Sequence, residues 1–273
     1  MRAETRQREM KKVNEGETNF FVDEFGDPVF YDKKGRLIVG SEGCSLLLGL
    51  GFVEIVDPRH ARKAILALQQ DIVNDLYLNK IPSVVRHTSV ALHAAKDVPE
   101  VRYLMYQLIK TLDFKAQFVV SCKSEKAFRE LHNSDENLHY DRLVGRLFST
   151  VLHRFKINRI CFSSRGSRAR RLPLEQAIYK AKHDFEEYYG KRIVGTSFQV
   201  QAQSPAGEPC LSIIDYVAWA LQRAYIRGES RYFEYIEDKV SYICDLREGK
   251  TTRYSRKNRF DINRAALLQL GSS

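Results

Sequence analysis

The chain has 273 residues, 44% hydrophobic and 29% charged, with only 7 Pro and 15 Gly; this is a globular composition, long enough to bury a sizeable core, and it excludes a disordered or low-complexity chain. A formal net charge of +10 favours a polyanionic partner, nucleic acid above all. Five scattered cysteines (Cys44, Cys122, Cys161, Cys210, Cys244), odd in number and never spaced as Cys-x-x-Cys, argue against a disulfide framework or a zinc knuckle and fit a reducing cytoplasm, while no apolar run approaches the ~20 residues that would span a membrane.

Residues 1–18 are polar and charged, with almost no large apolar side chains, and read as an arm outside the core rather than a signal peptide. Phe20, Phe21 and Val22 then form a buried strand, Asp23 and Glu24 sit where it leaves the core, and Phe25-Gly-Asp-Pro28 supplies a turn. Val29 to Tyr31 and the Lys33-Lys34-Gly35 turn suggest a hairpin, and Ser45 to Val56 is a second long apolar strand. Asp57-Pro58 opens a helix, Pro99 opens another, and Ala116 to Lys123 reads as a buried strand ending on a cation. A long helix over 135–155 precedes a strand over 157–164. Arg165, Arg168, Arg170 and Arg171 crowd together before a helix over 173–189, a strand over 193–201 and a helix over 211–226. A short helix over 232–240 and a strand over 241–245 follow, and the end of the chain is rich in Lys and Arg, among them Arg256 and Lys257. Antiparallel strands first, then helix alternating with strand, specify a single α/β domain with a mixed sheet over 19–246, preceded by the arm and followed by a basic tail over 247–273.

Two carboxylates at the end of a central strand cost desolvation energy unless a cation compensates them, and a divalent metal with oxygen ligands is one such cation. A surface turn is the competing reading for Asp23 and Glu24. Asp215 is the second informative acid, embedded in the apolar stripe Ile214, Val217, Ala218 and Leu221; its competing reading is a satisfied acid in the first turns of a helix. Together, Asp23 and Asp215 could converge on Mg²⁺ or Mn²⁺ and support phosphodiester hydrolysis. His93 could move a proton near neutral pH or cap the turn at Asp97. Lys123, the cluster Arg165, Arg168, Arg170 and Arg171, and the pair Arg256 and Lys257 suit phosphate contacts on DNA or RNA, with ordinary solvated basic surface as the alternative; Lys123 could instead neutralise the acidic cluster.

Three segments resemble the domain of unknown function 3800 family. Phe21-Val-Asp-Glu-Phe-Gly-Asp27 is similar to that family's opening Asp-Glu-Ser-Gly-Asp motif, with Phe25 in place of Ser. Leu92-His-Ala-Ala-Lys-Asp-Val-Pro-Glu-Val-Arg102 resembles its His-and-Asp segment, and Leu211-Ser-Ile-Ile-Asp-Tyr-Val-Ala-Trp-Ala-Leu-Gln-Arg223 resembles its closing Ala-Asp-Tyr helix, with Ile214 in place of Ala. The resemblance spans roughly residues 19–245 and implies a ribonuclease H-like mixed sheet flanked by helices. It further implies an acidic centre of Asp23, Glu24 and Asp215, with His93, Asp97 and Lys123 nearby. The sequence departs from the family where a later strand ends on Ser163 and Ser164 instead of an acid. A metal-dependent, cytoplasmic nuclease is the leading expectation, with a role in phage defence by analogy and a homo-oligomer left open; a catalytically silent nucleic-acid-binding or assembly subunit is the rival.

Overall fold

The structure is a computed structural model describing residues 14–149, 151–164, 171–189 and 196–265. Seven strands form one mixed sheet: β1 (Asn14–Gly26), β2 (Leu47–Ile55), β3 (Lys115–Cys122), β4 (Phe155–Ser163), β5 (Ser197–Gln203), β6 (Val240–Arg247) and β7 (Lys250–Ser255), in the spatial order β5-β4-β1-β2-β3-β6-β7. β1–β2 and β2–β3 pair antiparallel, β4 lies parallel to β1 with β5 parallel beyond it, and β6 lies parallel to β3. This is the single mixed sheet flanked by helices that the sequence implied, with β6 and β7 placed beyond β3.

The alternation of β1 assigns its side chains to two layers. Phe21 and Phe25 join Val53, Phe118 and Cys161 in a cluster covered by α1 (Arg59–Asn74), α2 (Pro99–Thr111), α6 (Leu211–Arg227) and α7 (Arg231–Ile236). Phe20 and Val22 join Phe52, Val119 and Ile160 under α4 (Glu136–Phe148) and α5 (Arg171–Tyr189). Because α6 is apolar on nearly every side, it lies fully inside its layer and packs across β1 and β2. Among the described residues no helix is long and apolar enough to cross a membrane.

Three sequence expectations need correction. The predicted arm loses its last residues to the sheet, since β1 already begins at Asn14; residues 1–13 lie outside the described part. The predicted helix over 135–155 stops at Phe148: Asp135 caps its start by accepting the amide N–H groups of Asn137 and Leu138, and the chain turns at 151–154 to enter β4. The predicted basic tail is part of the fold as far as Ala265; residues 266–273 lie outside the described part. Gly249, with φ of 66°, makes the tight turn that pairs β7 with β6, and Tyr254, Phe260 and Ala265 of α8 (Ile262–Ala265) pack into the α6 layer. A further helix, α3 (Glu125–His132), was not foreseen; the Ser124 side chain caps it and Asn133 ends it in a left-handed conformation.

Candidate active site

Asp23 follows Phe21 by two residues and therefore faces the α6 layer. It is 5% exposed, and its Oδ1 accepts the Glu24 backbone N–H at 3.0 Å. Its partner across the antiparallel ladder is Gly51, where a Cβ would fall 2.2 Å from the Phe118 ring. Glycine thus lets Phe118 fold over the strand beside the acid, edge-on to Phe25 at 6.1 Å.

The same alternation turns Glu24 to the opposite layer, where its carboxylate accepts the Tyr140 hydroxyl at 3.3 Å. The expected grouping of Glu24 with Asp23 and Asp215 is therefore not formed: adjacent strand residues point to opposite sheet faces.

Asp215 lies early in α6 and is held by the loop ahead of α2. Its Oδ2 accepts the Ala94 N–H at 2.7 Å, and His93 Nδ1 approaches the same oxygen at 3.2 Å, an electrostatic contact outside hydrogen-bond alignment. Asp97 organises that loop. It is 2% exposed, and it accepts the Tyr216 hydroxyl at 2.6 Å, the His93 N–H at 2.6 Å and the Thr88 hydroxyl at 2.7 Å. Burial pushes its carboxyl above the usual carboxylate range and the charge of Asp215 adds to that, against the pull of the three donors. Ser212 donates to the Leu92 carbonyl at 2.8 Å, and Arg102 donates to the carbonyls of Ala94 and Asp97 while its guanidinium covers Trp219 at 4.9 Å. Residues 92–97 and 211–216, far apart in sequence, thus form one bonded unit. His93, Asp97 and Asp215 come together as expected, with Asp97 as the anchor of the loop and its oxygens occupied.

Lys123 does not reach a ligand surface. Its side chain is 0% exposed, and its ammonium donates to Asp27 Oδ1 and to the Val29 carbonyl, both at 2.7 Å. The loop after Gly26 folds over the end of β3, and Asp27 also accepts the Ser45 N–H at 2.5 Å. The expected phosphate contact from Lys123 is replaced by a part-buried ion pair that closes this loop. Asp27 was overlooked as its partner; the only signal was a cation and an acid on two loops of unknown relation.

Cys161 shares its layer with Phe21, so Ser163 of β4 faces the same side as Asp23, one step beyond the Val22–Phe162 pair. Ser163 pairs in turn with Gln203 of β5. The row beside Asp23 is therefore Ser163 and Gln203, with no acid. Among the described residues, the one group of three metal-ligating side chains with ligand atoms within 4.8 Å of one another is His183, Asp184 and Glu187, exposed on α5, and neither Asp23 nor Asp215 belongs to such a group. Of the expected phosphate contacts, Arg256 and Lys257 are exposed in the turn after β7. Arg165, Arg168 and Arg170 lie outside the described residues, and Arg171 opens α5 with its side chain outside them.

No family model matches the chain, and no curated protein matches it. Among solved structures, it is similar to a chain of the PCNA:RNase HII complex from Archaeoglobus fulgidus, at 13% identity and a TM-score of 0.38, covering 81% of this chain and 77% of that one.

Proposed function

We propose that this protein is a metal-dependent nuclease of ribonuclease H-like fold, with Asp23 and Asp215 as the ligands of a single Mg²⁺ or Mn²⁺. The observation that supports this most is the placement of both acids on one face of the sheet: Asp23 at the end of the central strand, and Asp215 on the helix that packs across that strand. Two carboxylates suit a hard cation that keeps several waters and takes further oxygens from a substrate phosphate, whereas the absence of an acid at Ser163 does not suit a second ion. Such an ion would activate a water and offset charge on the phosphoryl oxygens.

The chain's own groups would have these tasks. The Ala94 N–H fixes one oxygen of Asp215, so its carboxylate is oriented before any ligand arrives. His93, with Nδ1 turned to Asp215, would exchange a proton through Nε2. The resemblance to the domain of unknown function 3800 family supports the same reading, and a role in defence against phage or mobile elements extends it by analogy.

A second reading, a nucleic-acid-binding subunit without catalysis, is favoured by Ser163 standing beside Asp23. The experiment that separates the two is cleavage of labelled single- and double-stranded DNA and RNA with Mn²⁺, Mg²⁺ or EDTA, alongside Asp23→Asn and Asp215→Asn. Metal-dependent cutting that both substitutions abolish, with thermal melts unchanged, supports the nuclease. Full cutting by Asp23→Asn sinks it, and binding without cutting under all conditions selects the second reading.

A further inference from the structure

The sheet face opposite Asp23 and Asp215 holds a groove of about 910 Å³ between α4, α5 and the β6–β7 hairpin. Buried apolar side chains such as Val119, Leu147 and Phe185 form its floor. Arg142 and Arg146 of α4, Lys180 of α5 and Arg253 of β7 stand around it, all exposed. None of these four side chains forms an ion pair or hydrogen bond with another described residue, whereas some arginines elsewhere are paired, as Arg62 is to Glu208 and Arg223 to Glu229. Asp141 and Asp184 also line the groove and leave it with a net excess of positive charge.

Four unpaired cations around one concavity repel each other and are best neutralised together by a single polyanion. Arg142 and Arg146 are one helical turn apart, about 6 Å along the axis, so they form a short row along the groove wall. Tyr242, half-buried at the base, offers an aromatic face. The bases of an unpaired strand can stack on such a ring, whereas those of a duplex are already stacked on one another.

We propose that this groove binds the phosphodiester backbone of a single nucleic-acid strand. The site shares no residue with Asp23, Asp215 or His93, and it stands whether or not the protein cleaves its ligand. The chemistry is counterion release by clustered cations, so affinity falls with salt in proportion to the phosphates contacted.

The test is fluorescence anisotropy of the full chain with a labelled oligothymidine of about 20 nucleotides, long enough to span such a groove, and with a duplex of the same length, in EDTA so that no cleavage occurs. Four phosphate contacts give a log–log salt slope of about −3. Arg142→Ala with Arg146→Ala should weaken binding at least about tenfold at roughly 100 mM salt and shallow the slope by about 1.4. Lys180→Ala with Arg253→Ala should do likewise. Lys63→Ala with Lys80→Ala removes the same charge from exposed positions on the other layer and should cost less than about threefold. Equal losses from the groove and control pairs overturn the proposal, as does tighter binding of the duplex or no binding of the oligothymidine. Cleavage lost with binding intact bears only on the nuclease reading.

Discussion

The Tyr216 hydroxyl donates to Asp97 at 2.6 Å, so the residue that follows Asp215 on α6 fastens the loop that in turn orients Asp215. The two segments form a closed circuit of hydrogen bonds in which each acid has a different duty. Asp97 holds the backbone, and Asp215 is held by it.

Removing the hydroxyl therefore tests the circuit apart from the acid. Tyr216→Phe leaves a buried carboxylate short of one donor, which costs roughly 1–3 kcal/mol. Differential scanning fluorimetry should show a Tm lower by roughly 3–10 °C. An unchanged Tm would mean that the bond contributes nothing to the fold.

The Lys123–Asp27 pair joins a buried ammonium to a half-buried carboxylate and should be energetically coupled. Lys123→Met alone leaves the half-buried Asp27 carboxylate without its cation and should cost about 1–3 kcal/mol, and Lys123→Met with Asp27→Asn should recover a large part of that. Urea unfolding of the two single variants and the double variant measures the coupling. Strict additivity would show that the pair is not energetically linked.

Buried His139 predicts a specific acid sensitivity. Its ring is 1% exposed, Nε2 lies 3.0 Å from Ser121 Oγ, and burial, with His132, Lys123 and Arg142 nearby, lowers its pKa from 6.5 to about 4. Because the folded value is depressed, the unfolded chain binds the extra proton first. Stability is thus intact above about pH 6.5 and drains away as pH falls through about 4, by on the order of 3 kcal/mol. Comparing the wild type with His139→Gln across this window by chemical denaturation should show their stability gap narrowing at low pH. A gap that does not change with pH would contradict the assignment.

Ser163 offers a gain-of-function test. Ser163→Asp places a third carboxylate on the Asp23 face of the sheet and should tighten Mn²⁺ binding about tenfold or more, read by isothermal titration. No change would remove Ser163 from the site.

The sequence made the central elements legible because their patterns are local. Phe20 to Val22 runs as an apolar β-prone triplet, Pro99 starts a helix, and the stripe around Asp215 repeats at helical spacing. The pairing of residues 92–97 with 211–216 was accessible only through family resemblance, since nothing local in His93 points to a helix more than a hundred residues away. The choice between a phosphate and an acid as the partner of Lys123 was not legible, because a strand-end lysine looks the same whether it meets solvent or a folded-over loop; burial there is a property of residues 27–45, not of the lysine. Glu24 was misassigned by ignoring a parity that its own strand dictates. β7 was missed because its outward residues are all polar or basic and only Tyr254 of its inward side is large. The groove on the α4–α5 face left no sequence signature, for its cations come from three separate elements.

The sheet order also has a consequence for synthesis. The outer edge of β3 is covered by β6, which leaves the ribosome more than a hundred residues later. At cellular elongation rates of about 5–20 residues per second, the hydrogen-bonding edge beside Phe118 to Val120 stays open for on the order of ten seconds. During that interval the nascent chain presents an apolar strand edge to its surroundings. Chaperone capture and slowed translation ahead of residue 240 should therefore decide the yield of this protein more than they would for a sheet built in the order in which it is read.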